Sequence, residues 1–299
     1  LPRHLSNPDS INEGEFDRIL QGQSELGISS LAWAIGRSWV HYHSVLPDTC
    51  SFPCVALSSE HVEKYPWHAT WSHMVRNFDA WSYPLARRQV HDLKLYGWLA
   101  MNRHYNPKSY NGAFQSPWKK AHPELSHQSK ESGIKDLSRV EYFFEETRQE
   151  RLAILEEVAG FSPDGIVLGC CRQPPMSSYN VEMVEAYILE TGDDPRDLDI
   201  RDGEPFWKWL RWRAAGFTTL LRDFRKKLKL IQGNLKRSIP IAVRVPDEGL
   251  DWCLAQGMDL KTWIREGLID EIMLDPLDDG GAQVNHDLSP YITLCRDKN

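Results

Sequence analysis

Short connections lead into the β-rich segments of this chain and very long ones lead out of them. Strand-like apolar segments stand at 28–35 (ISSLAWAI), 95–101 (LYGWLAM), 164–168 (DGIVL), 239–245 and 269–274. Helical patterns separate them at 71–93, 139–160, 206–231 and 250–266, and further helical stretches lie at 13–21, 181–189 and near 290–296. In 139–160, Phe143, Thr147, Leu152, Leu155 and Val158 form a stripe, with Gly160 placed to end the helix. Strands that alternate with helices build parallel, right-handed βαβ units around one sheet. From Gly160 to Asp164 and from Gly267 to Ile269 the helix-to-strand links are short, whereas 37–70, 102–137 and 170–205 all leave the C-terminal ends of strands. Loops this long inside a compact domain are usually functional. In a (β/α)8 barrel they gather on the face that carries active sites.

The expected fold is therefore α/β, a (β/α)8 TIM-type barrel forming a single domain over residues 1–299. Only about five strands are legible where a barrel needs eight. Either the barrel is incomplete, truncated at its C-terminus, or strands in 37–70 and 280–299 are poorly readable; truncation is the preferred expectation.

Composition removes several alternatives. With 41% hydrophobic and 26% charged residues the chain is neither disordered nor collagen-like. It has no apolar run of membrane-spanning length, so no membrane partner is expected. The net charge of −7 gives no overall attraction for nucleic acid, and the basic run at 222–229 reads as the solvated end of a helix. Neither GxGxxG nor GxxxxGK[ST] occurs, and no cofactor is expected. Six cysteines form no recurring CxxC, and the scattered histidines lack ligand spacing, so no metal is expected. Cys50 and Cys54 flank a Ser-Phe-Pro turn and could bridge in an oxidising compartment; a free-thiol cytosolic protein fits equally. Localisation stays open, with an extracellular or periplasmic setting favoured. Twelve Trp are an unusual number, and surplus Trp often marks surfaces that stack flat ligands, sugar rings included.

Three segments carry a resemblance: LYGWLAMNRHYNPKSYNGAFQSPWKKAHPEL at 95–125, RQERLAILEEVAGFSPDGIVLGCCRQPP at 148–175, and IPIAVRVP with GMDLKTWIREGLIDEIML within 239–274. Together they resemble bacterial family-10-like glycosyl hydrolases, over about residues 28–275. That resemblance implies a barrel in which a strand end bearing Met-Asn precedes a loop with an HPE element. A "DGI.LD" strand and an "RVP" strand follow. The chain departs from the pattern at one position: the second Asp of that strand is here Gly169. Glycoside hydrolysis ordinarily needs two carboxyl groups astride the scissile bond, and glycine supplies none.

Candidate residues follow from placement at strand ends. Asn102, Arg103 and His104 directly follow the strand 95–101, where they could bind sugar hydroxyls, or simply cap the strand. Arg172 could hold an acidic sugar through a bidentate fork, or only brace its loop. Arg244, a charge within an apolar strand, must point toward a partner; a barrel mouth and a structural ion pair both supply one. Asp275 ends the last legible strand and is the best-placed catalytic carboxylate, with Asp278 and Asp279 beyond it. Glu182 and Glu185 on the inserted helix could reach over the mouth as substitute carboxylates, although solvated helix charges are the plainer reading. Trp39, Trp67, Trp71 and Trp118 occupy or border the long loops and could supply a stacking platform, or merely pack. Asp164 begins its strand and reads as a turn or cap residue.

The first expectation is thus a glycoside hydrolase acting on an oligo- or polysaccharide substrate, with Asp275 as one catalytic carboxylate. Its rival is a carbohydrate-binding barrel that lost catalysis at Gly169. A metal-assisted hydrolase using His104 and Asp275 ranks last.

Overall fold

A computed structural model describes residues 12–171, 174–275 and 287–296. In chain order its elements are α1 (Glu13–Glu25), β1 (Ser30–Gly36), α2 (Ser59–Lys64), α3 (Pro66–Phe78), α4 (Ser82–Arg87), β2 (Lys94–Ala100), α5 (Pro117–Ala121), β3 (His127–Gln128), β4 (Lys135–Asp136) and α6 (Glu145–Gly160). There follow β5 (Gly165–Gly169), α7 (Val181–Thr191), α8 (Glu204–Leu235), β6 (Ile241–Pro246), α9 (Leu250–Ala255), α10 (Leu260–Arg265), β7 (Glu271–Asp275) and α11 (Ser289–Arg296). Five strands form one sheet in the order β1-β2-β5-β6-β7, with every neighbouring pair parallel. The order never reverses, so the sheet winds in one direction. A doubly wound fold would contain a switch point; this is the arrangement of consecutive strands of a (β/α)8 barrel. The pair β3 and β4 forms a separate antiparallel ribbon inside the long loop after β2.

Side chains on a strand alternate between faces, and here the two faces differ in chemistry. Leu95, Leu99, Ile166, Leu168, Ile241, Val243 and Val245 face outward and share one core with Leu152, Leu155 and Val158 of α6 and Phe217, Leu220, Leu221 and Phe224 of α8. Burying a side chain of this size contributes about 1.5–3 kcal/mol, so this helix-on-sheet layer fixes the fold. The other, luminal face carries Tyr96, Trp98, Ala100, Val167, Ala242 and Met273, which form their own smaller cluster. Ala32 and Ala34 on the same face of β1 are exposed, so part of the lumen is open to solvent.

The long loops are where the expected elements differ most. The helix expected over 71–93 is two helices, α3 and α4, broken where Asp79 takes a left-handed backbone (φ 43°) and its carboxylate caps Trp81 and Ser82 N–H. The helix expected over 250–266 is likewise split at Gly257 (φ 83°), and Asp259 caps the second half through Thr262 N–H. Strand boundaries move by one to two residues toward the C-terminus, except in β2, which moves one residue toward the N-terminus. Segment 37–70 adds no strand to the sheet, only isolated bridges of Val40 to Gly36 and Ser51. Of 280–299, the described part is the helix α11. Cys50 and Cys54 form a disulfide. Asp164 sits at the N-terminal edge of the sheet and accepts from Leu95 N–H (2.9 Å), Arg88 (2.6 Å) and Arg237 (3.2 Å), a structural tie away from the strand C-termini. The basic run lies on α8, where Arg222 pairs with Glu266 and Arg225 with Asp270. Among the described residues no helix is long and apolar enough to cross a membrane.

Gly216 lets α8 approach the chain at Tyr142–Phe143. A Cβ there would stand 2.6 Å from the Tyr142 carbonyl carbon and 2.8 Å from Phe143 N, both backbone atoms that cannot rotate away. Alanine gains about 1 kcal/mol in helix propensity, but overpacking costs about 1–3 kcal/mol. Gly216→Ala is expected to lower stability by about 1 kcal/mol in urea unfolding; a gain would contradict this packing.

Candidate functional site

Two aromatic rings of β2 pave the luminal face. In register, Tyr96 lies opposite Gly165 and Ala100 opposite Gly169, with Trp98 opposite Val167 between them. The rings lie flat across the glycines instead of standing off the sheet. A Cβ on Gly165 would fall inside the Tyr96 ring, and one on Gly169 would lie 2.6 Å from Trp98 Nε1. Tyr96 reaches across the sheet and donates its hydroxyl to Glu271 of β7 (3.1 Å). Burial and the Glu271 carboxylate push the Tyr96 phenol up to about 12, so it remains a donor.

Nearer the strand C-termini, Arg244 of β6 extends beside the Trp98 ring, 5.9 Å from its centroid, and pairs with Asp275 of β7 at 2.6 Å. The two side chains are 35% and 27% exposed, so this pair faces solvent at the mouth. Cys171, just after β5, donates its thiol to the same Asp275 oxygen at 2.9 Å. Burial, helped by that hydrogen bond, pushes the Cys171 thiol up to about 12. It acts as a hydrogen-bond donor, since the thiolate would be the nucleophile. Asp247, one residue beyond β6, acts electrostatically on the same thiol. The arrangement is an indole face, a guanidinium and a carboxylate on one edge of an open lumen. Trp98 itself is buried, at 9% exposure, so what faces solvent is the ion pair, which can hold hydroxyls and place negative charge beside an anomeric carbon.

A second group of side chains rims the ends of β1 and β2. Arg37 donates to the Tyr105 hydroxyl, and Arg103 lies over the Tyr105 ring at 4.8 Å. Tyr105 stacks on Phe114, which meets Tyr110, and Tyr110 in turn meets Tyr65 and Trp67. Trp67 is exposed and edges against Trp71.

Beneath the rim lies a sealed polar layer. Asn102 is buried: its amide donates to Pro175 O (2.8 Å) and its carbonyl accepts from Val140 N–H (2.9 Å), so it ties three loops together. The fully buried Glu141 accepts from Ser178 N–H and Oγ, both at 2.8 Å, with His127 3.9 Å away. Burial raises its carboxyl above the usual range despite those hydrogen bonds. His104 is fully buried beside Trp118, and neither ring nitrogen has a hydrogen-bond partner among the described residues. Burial keeps it neutral, with a pKa well below the usual value.

The expected residues thus divide. Arg244 and Asp275 meet at the mouth, and Arg103 and Trp67 stand on the rim. Trp39, expected to bind substrate, is instead a core residue with no exposed surface, packed on Phe52 and Phe114. Trp118 and His104 are also buried, and Asn102 braces loops; none of these three offers a free face to a ligand. Glu182 and Glu185 occupy the exposed side of α7, whose other side, Met183, Val184 and Tyr187, packs on Trp209 and Leu210. Arg172, Asp278 and Asp279 lie outside the described residues. Among the described residues no three His, Cys, Asp or Glu side chains gather as metal ligands would. Sequence reasoning missed Trp98, Cys171 and Glu141. For Trp98 a signal existed: aromatics at 96 and 98 alternate on one strand while glycines stand at 165 and 169 on another.

No protein-family model matches the chain, and no curated protein does. Among solved structures it is similar to the catalytic domain of the β-amylase from Paenibacillus polymyxa, at 12% identity and a TM-score of 0.55, covering 96% of this chain and 79% of that one. It is also similar to the β-galactosidase from the psychrophilic Marinomonas ef1, at 12% identity and a TM-score of 0.50, covering 90% of this chain and 39% of that one. The chain therefore spans well under half the length of that β-galactosidase. At such identities the likeness shows the fold alone: a partial (β/α)8 barrel of the kind found in glycosidases.

Two predictions follow from these contacts. Gly169→Ala is expected to cost about 1–3 kcal/mol, and the cost is expected to vanish in a Trp98→Ala background. A double-mutant cycle by chemical denaturation reads the coupling; equal costs in both backgrounds would contradict the stacking. For Glu141, a carboxyl whose pKa is raised by folding, the stabilising contribution is complete below the unfolded value and lost as pH rises through the folded value. Glu141→Gln cannot ionise, so it is expected to lose less stability than the parent as pH rises above the ordinary carboxyl value of about 4.3. Identical pH slopes in urea unfolding would rule this out.

Proposed function

We propose that this chain, read as one barrel domain, is a glycoside hydrolase that acts on an oligo- or polysaccharide at the luminal mouth. The observation that carries the reading is Asp275, held at a strand C-terminus between the Arg244 guanidinium and the Cys171 thiol, beside the Trp98 indole. The glycosidase-type fold and the family-10-like motifs support the substrate class. In this reading a sugar lies over the Arg244–Asp275 pair, with the buried Trp98 ring packed beside Arg244, and Arg244 holds both Asp275 and a substrate hydroxyl. Asp275 stabilises the positive charge that builds at the anomeric carbon or attacks it. Asp247 follows β6 at the strand next to Asp275, since Pro246 is in register with Asp275. Adjacent strands lie about 4.8 Å apart, which makes Asp247 the second carboxylate we would test.

A specific observation favours a second reading, binding without turnover. The family's strand-end carboxylate is replaced by Gly169, and the Trp98 indole covers that position. An aspartate could not be restored there unless the ring moved.

An aryl-glycoside panel separates the two. The hydrolase reading expects turnover that falls by about 100-fold or more in Asp275→Asn, with Asp247→Asn compared in parallel. Saccharide-induced tryptophan fluorescence change with no turnover in the parent would establish the binding reading instead. Neither turnover nor a fluorescence response would overturn both.

A further inference from the structure

The rim at the ends of β1 and β2 carries positive charge that the Asp275 edge does not use. Arg37 directly follows β1 and Arg103 stands three residues past β2, and the two strands are parallel neighbours. Ser38 N–H donates to Arg103 O (3.2 Å), which holds the two backbones together where the side chains leave them. Both side chains are half-buried. They converge on Tyr105: Arg37 donates to its hydroxyl, and the Arg103 guanidinium lies 4.8 Å from its ring centroid. Tyr105 takes a left-handed backbone (φ 58°), strained for so bulky a residue, and its ring stacks on Phe114 at 4.7 Å.

Two guanidinia thus share one neutral phenol. A guanidinium has five donors; among the described residues Arg37 has the Tyr105 hydroxyl as acceptor and the Trp39 and Tyr105 rings at 5.7 and 6.0 Å, and no carboxylate pairs with it. The buried ion pair beside it is closed on itself: Arg151 donates to Arg37 O (2.6 Å) and takes the Glu150 carboxylate. Like charges gathered this way repel, whereas an anion placed against them gains from both. The planar guanidinium fork matches the oxygens of a carboxylate or sulfate. The chain's net charge of −7 does not oppose such contact, because salt confines distant charges to about 8 Å. Aromatic rings continue outward from this point. Tyr110 lies 6.2 Å from Tyr105 and 6.4 Å from Trp67, whose indole is 36% exposed.

We propose that the β1–β2 rim is a subsite for the acid group, carboxylate or sulfate, of an acidic oligosaccharide. Arg37 and Arg103 hold the anionic oxygens, and the exposed Trp67 takes the face of a neighbouring sugar. The rim stands three to four strand spacings, each about 4.8 Å, from Asp275 on β7, which suits an oligosaccharide better than a single sugar. The inference rests on the reading of the mouth as a saccharide site and narrows its substrate to acidic glycans.

Titration calorimetry of the full chain tests it with two matched pairs, an oligogalacturonate with its carboxyl-reduced counterpart and a sulfated galactan oligosaccharide with its desulfated counterpart, and with inorganic sulfate. In at least one pair the acidic member is expected to bind at least about tenfold more tightly, the ratio that one charge-assisted contact supplies. The pair that shows the preference tells carboxylate from sulfate. Arg37→Gln is expected to weaken that acidic member by about tenfold and to leave the neutral one unchanged. Should that half-buried change disturb folding, Arg103→Gln is read in the same way. Equal affinities within both pairs would overturn the acid subsite and leave the saccharide reading standing. Inorganic sulfate bound as tightly as the saccharide, or parental acidic affinity in both variants, would also overturn it. Binding of no saccharide at all would overturn both.

Discussion

Two flat aromatic rings on one strand set the character of the whole luminal face. Tyr96 and Trp98 lie across Gly165 and Gly169 of the neighbouring strand, and neither glycine can carry a Cβ while the rings stay there. Because the rings lie down rather than stand up, side chains from strands further along reach over them. Tyr96 meets Glu271, and Arg244 extends beside Trp98 to meet Asp275. The glycine at 169 is therefore part of a packing solution as well as a departure from a family pattern. The Trp98 indole covers the position of Gly169, and the Asp275 carboxylate stands two strands away.

That displacement shapes the chemistry. Asp275 has a fixed environment: a guanidinium on one side and a thiol that keeps its proton on the other. The buried layer underneath, with Asn102 joining three loops and Glu141 holding Ser178, keeps the long connections in place without presenting groups to solvent. Rigid support below and a partly exposed ion pair above is the arrangement a binding mouth on a barrel requires.

Much of this was legible in the chain. The alternation of strand and helix patterns, and the contrast between short and long links, led to consecutive parallel strands with the loops on the C-terminal face. Arg244 in an apolar strand and Asp275 at a strand end were both readable, because a charge in such places must find a partner. Other features were not. Trp39 and Trp118 sit in loop sequence, yet the loops fold back and bury them, and linear position cannot separate a rim tryptophan from a core one. The breaks at Asp79 and Gly257 depend on single left-handed residues that hydrophobic periodicity does not register. Cys171 becomes meaningful only when β5 and β7 are brought to the same mouth.

The central claim is that saccharide is held against the Trp98–Arg244–Asp275 edge of the lumen. The most direct measurement is a crystal structure of the chain soaked with an oligosaccharide. This account predicts a sugar seated at the Arg244–Asp275 pair with a hydroxyl on Arg244 or Asp275. A sugar bound elsewhere while that edge stays vacant would contradict it.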